Sequence, residues 1–79
     1  MATPEEIKTE DKKLRLLRRM VDLTMSIIIE TDMTLEEASR HAAGVRELAL
    51  RLFPGKGDVF DLVYGPRFKR LLRDKYMLS

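Results

Sequence analysis

The stretch LRLLRRMVDLTMSIIIE, residues 14–30, decides the fold. Apolar residues recur in it at spacings of three and four, the periodicity of an α-helix rather than the alternation of a strand. With successive residues about 100° apart around the axis, Leu14, Leu17, Val21, Met25 and Ile28 form one stripe. Leu16, Met20, Leu23 and Ile27 form a second stripe beside it. Together they span roughly 240°, whereas a surface helix presents an apolar arc of little more than about 100°. Only Lys12, Arg15, Arg19, Asp22, Ser26 and Glu30 remain as a polar wedge. A helix from about Lys12 to Glu30 is therefore expected to need cover from at least two sides.

Upstream, residues 1–9 show no periodicity and contain Pro4, which reads as a mobile arm or a short helical turn, with Thr9 or Asp11 capping the helix that follows. Downstream, Thr31-Asp32-Met33 is a short connection, and Thr34 with Glu37 has the spacing of a capping box opening a second helix. Leu35, Ala38, Ala42, Val45, Ala49 and Leu52 then repeat as an a/d seam. Glu36 with Arg40 and Glu47 with Arg51 are i,i+4 pairs in the favourable orientation. Pro54 and Gly55 end this helix. Asp58 and Asp61 suit the start of a short third helix, Val59–Tyr64. Gly65 terminates it and Pro66 starts a fourth, whose apolar face carries Phe68, Leu71, Leu72 and Tyr76. The expected fold is all-α: an antiparallel hairpin of two long helices plus two short C-terminal helices, one small bundle over residues 1–79.

Seventy-nine residues build only a small core, burying about 60 to 65% of the surface of the unfolded chain. Chains of this size often rely on disulfides, a metal or oligomerisation. With no cysteine, oligomerisation is the remaining route, and a reducing compartment such as the cytoplasm is the expected location. The polar N-terminus has no signal-peptide core, and the longest apolar run, Ile27 to Ile29, is far short of a membrane span.

Catalytic chemistry is poorly supplied. The sequence has one histidine, no nucleophile elbow and no phosphate-binding glycine loop. His41 falls at the edge of the apolar stripe of the second helix with Glu37 one turn before it, too few ligands for zinc, so no metal and no cofactor are expected. A helix-turn-helix placed over residues 34–60 fails as well, because the Leu35 to Leu52 seam runs through Gly44 in unbroken register.

Charge lies in blocks. Lys12 to Arg19 carries five bases and no acid, Met20 to Ser39 five acids and no base, and Arg67 to Lys75 five bases against Asp74. The net charge of +2 is too small to mark a nucleic-acid binder by itself. The leading expectation is a non-enzymatic interaction or adaptor protein, a homodimer or a partner for another helix, using Leu16, Met20, Leu23 and Ile27. The alternative is a nucleic-acid-binding protein using the basic faces of the first and last helices, with Arg67, Lys69, Arg70 and Arg73 as anion-binding residues.

Overall fold

The computed structural model describes residues 2–77. Four helices account for almost all of them: α1 (Pro4–Glu30), α2 (Leu35–Leu52), α3 (Gly57–Val63) and α4 (Gly65–Tyr76). α1 and α2 form the expected hairpin, and α3 and α4 run back along it as a broken third rod.

α1 begins at Pro4, so residues 4–9 take the helical alternative and continue without a break into the long helix. The cause is local. Thr3 Oγ1 accepts a hydrogen bond from the Glu6 N–H at 3.2 Å, and Glu6 Oε2 accepts one from the Thr3 N–H at 3.4 Å. This is a complete capping box, with Pro4 at the first helical position where its missing N–H is harmless. Neither Thr9 nor Asp11 caps α1. Residues 4–12 are exposed all round, so two turns and more of α1 overhang the bundle. Lys13, its ammonium 5.7 Å from the ring centroid of Phe53, marks where the end of α2 meets α1.

At α2 only half of the expected box forms: Thr34 Oγ1 accepts from the Glu37 N–H at 3.1 Å. All six residues of the a/d seam are buried or half-buried. Phe53 to Lys56 is a tight turn closed by the Lys56 N–H to the Phe53 carbonyl at 3.2 Å, and Gly55 takes φ +78° in it, a conformation that favours glycine.

α3 starts two residues earlier than expected, and Gly65 opens α4 instead of closing α3. Tyr64 alone separates them, as the C-cap of one and the N-cap of the other. Pro66 has no N–H to give the Leu62 carbonyl, so the ladder breaks there, and the bonds Tyr64 N–H to Phe60 O and Phe68 N–H to Tyr64 O hold the two sides. α4 runs parallel to α1, with Arg67 at its start 3.7 Å from Asp22. At its end Lys75 Nζ donates to the Thr31 carbonyl at 2.7 Å and to that of Ile28. The Tyr76 hydroxyl donates to the Met33 carbonyl at 2.8 Å, with the Thr34 carbonyl 3.2 Å away. The chain is thus an up-down-up bundle whose last turn is fastened to its first connection.

The core is one cluster: Leu17, Val21 and Ile28 from α1, Ala38, Val45 and Ala49 from α2, Phe60 and Phe68 from the third rod. Alanines on α2 let the helices approach, and the two phenylalanines supply bulk. Among the described residues no helix is long and apolar enough to cross a membrane.

Candidate functional site

The two stripes of α1 have different fates. The first faces the core: Val21 and Ile28 are fully buried, Leu17 nearly so and Met25 partly. α2 and α4 take it between them, and only Leu14, out toward the overhang, stays exposed. The second stripe lies on the flank that neither covers. Leu16, Leu23 and Ile27 keep 45%, 54% and 37% of their surface in contact with solvent, and Met20 is half-buried. The row extends over about 17 Å of helix, at about 1.5 Å per residue.

Beside this row runs a groove of about 580 Å³ between α1 and α2, lined among others by Met20, Thr24, His41, Gly44 and Leu48. Gly44 is in the middle of α2, and a Cβ built on it would meet nothing within 4 Å. It shares the groove with Met20 and Thr24, which puts it level with the midpoint of the row. His41 is exposed at the rim of the groove. Among the described residues no three His, Cys, Asp or Glu side chains come together as metal ligands would.

The outer edge of the row is charged. Lys12 flanks one end and Glu30 the other, 18 residues apart and so five turns along, on the same edge of the helix. Neither has an ion-pair partner among the described residues, whose pairs are Lys13 with Glu10, Arg40 with Glu36, Arg46 with Asp61 and Arg67 with Asp22.

The four basic residues of α4 border two adjoining concavities that share Arg70. Lys69, Arg70 and Arg73 border a concavity of about 610 Å³ with Gly65 and Pro66. Arg67 borders the second with Arg70, Leu71, Asp74 and Met25, and reaches toward Asp22 and over the Tyr64 ring. Asp61 also lines the concavity and puts a carboxylate among the three cations. That carboxylate is held by Arg46 in a two-pronged pair, Nε to Oδ1 at 2.7 Å and Nη2 to Oδ2 at 3.0 Å. Hydrogen bonding to Arg46 lowers the Asp61 pKa from its ordinary value, with a smaller lowering from the Arg46 and Lys69 charges and burial opposing it. Gly57 makes room for this pair, since a Cβ there would come within 3.0 Å of the Arg46 guanidinium.

No protein-family model, curated protein or solved structure matches this chain.

One apolar surface escaped the sequence reading. Val59, Leu62 and Val63 are 48%, 78% and 52% exposed on the outer side of α3. Their i, i+3, i+4 spacing carries the signal, but the flanking Asp58 and Asp61 read as caps and drew attention from it. The patch occupies a seven-residue helix, about 10 Å long, and is shorter than the row on α1.

Proposed function

We propose that this chain is a non-enzymatic helical interaction module whose working surface is the uncovered row Leu16, Met20, Leu23 and Ile27 with the adjoining α1–α2 groove. A single observation carries this reading: Leu16, Leu23 and Ile27 on the longest helix stay exposed, while Leu17, Val21 and Ile28 of the neighbouring stripe are buried. Large apolar side chains aligned on one helix face are the form of surface that receives another amphipathic helix. Lack of cysteine suits work in a reducing compartment such as the cytoplasm.

Substitution tests whether the row is a surface or part of the core. Leu23→Asp and Ile27→Asp should leave the helical circular dichroism and cooperative melting of the dilute chain intact, whereas Val21→Asp should abolish folding. Unfolding of the dilute Leu23→Asp and Ile27→Asp chains would show the row to be structural and refute the reading.

A further inference from the structure

Three features of the open face bear on what covers it. The first is area. The chain exposes 6159 Å². A compact monomer of 9.2 kDa exposes about 4,900 Å² by the mass scaling of folded proteins. The excess of roughly 1,200 Å² is larger than the roughly 800 Å² that each partner commonly commits to a stable interface. The radius of gyration, 14.2 Å against about 11.6 Å expected for this length, agrees. The overhanging turns of α1 account for part of the excess, and they are polar apart from Ile7.

The second is charge. If another α1 lay on the row in parallel, the charged edges of the two copies would stand on opposite sides of the seam, and Lys12 and Glu30 would find no partner in each other. If it lay antiparallel about the midpoint of the row, Leu16 would meet Ile27, Met20 would meet Leu23, and the same rotation would bring Lys12 to within one residue, about 1.5 Å, of the level of Glu30, twice. Arg19 would fall near Ser26. The edge is complementary to itself in one direction only.

The third is Gly44. Glycine within a helix is unfavourable relative to alanine, and no atom of this chain occupies the space above it. It lies in the groove beside the row, level with the row's midpoint, so a helix laid on the row has room there to approach α2.

We infer that the occupant is a second copy of this chain, docked with α1 antiparallel to α1 about a two-fold axis near the midpoint between Leu16 and Ile27, with Lys12 facing Glu30 of the other copy. This rests on the row being a docking surface and adds the partner and its direction. A C2 pairing of this kind buries the same patch on both copies and closes on itself.

The test uses the full chain. Sedimentation across a concentration series should give twice 9.2 kDa at high concentration, and Ile27→Asp should give a folded monomer. Leu62→Asp on α3 should leave the dimer unchanged. Because the chain has no cysteine, Leu16→Cys and Ile27→Cys can be joined by a short bis-maleimide. The two variants mixed should cross-link to each other far better than either does to itself. Lys12→Glu and Glu30→Lys should each raise the dissociation constant about tenfold, and the double variant should restore it. A chain that stays monomeric to millimolar concentration overturns the inference while leaving the row free for another helix. Preferential self-cross-linking of each variant, loss of the dimer through Leu62→Asp alone, or a double charge variant no better than the singles would also overturn it.

Discussion

Replacing Gly44 by Ala should act in opposite directions on folding and on association. In the isolated chain the added methyl meets nothing within 4 Å, so there is no clash to set against the gain in helix propensity. Alanine is favoured over glycine in a helix interior by about 1 kcal/mol. In a domain of this size that raises the midpoint of thermal unfolding by roughly 4 to 8 °C. In the dimer the same methyl would take up room that the second copy has to approach α2, so association should weaken even as the fold becomes firmer. The assay is a pair of melts, one at a concentration where the chain is monomeric and one where it is paired, with the dissociation constant from sedimentation. A Gly44→Ala chain that melts lower when dilute would refute the claim that the space is open. A chain that melts higher and associates as before would refute close approach at Gly44.

Further expectations follow from the core, the latch and the ion pair. Ile28→Ala removes a fully buried side chain and should cost about 2 to 5 kcal/mol in denaturant unfolding, a large share of the stability of so small a domain, whereas Leu23→Ala in the dilute chain should be close to neutral. Tyr76→Phe deletes the hydrogen bond to the Met33 carbonyl and should cost about 0.5 to 1.5 kcal/mol, with amide exchange rising first around Thr31 to Thr34. The folded pKa of Asp61 is depressed below its unfolded value near 3.9, so its pairing with Arg46 adds stability above that value and loses it as pH falls through the folded pKa. Both partners are about half exposed, so the effect is small, and Asp61→Asn should flatten the acid limb of a melting profile between pH 6 and pH 2.

The sequence reveals elements where periodicity and capping agree, and misleads where only one is present. α2 was legible throughout because its seam, its Thr34 cap and its Pro54 stop all coincide. The start of α1 was not, although Thr3-Pro4-Glu5-Glu6 is a better capping box than Thr34 to Glu37. No apolar periodicity follows it, and an exposed overhang needs none. The break at Tyr64 was misplaced by one residue because Gly65 and Pro66 are both punctuation, and only the lost Pro66 donor decides which side of the break each joins. For the site, the wheel of α1 separates two stripes but cannot say which one α4 will cover. That choice depends on Arg67 reaching Asp22 and on Lys75 reaching the end of α1, contacts between residues 44 to 47 positions apart for Lys75. The Asp22 contact holds Arg67 beside α1, so Lys69, Arg70 and Arg73 border one concavity and Arg70 joins it to Arg67.

The fastening of Lys75 and Tyr76 to the first connection sets an order of assembly during synthesis. The carbonyls they hold belong to Ile28, Thr31 and Met33, which leave the ribosome some forty residues before them. Hairpin formation between α1 and α2 needs only neighbouring segments, while the fastening must close a long loop and comes afterwards. Through that interval the first stripe of α1 is covered by α2 alone, and its α4 side stands bare beside the open second stripe. A hairpin at this stage presents two apolar stripes instead of one, so the docking of α4 decides which face of α1 is left available for contact.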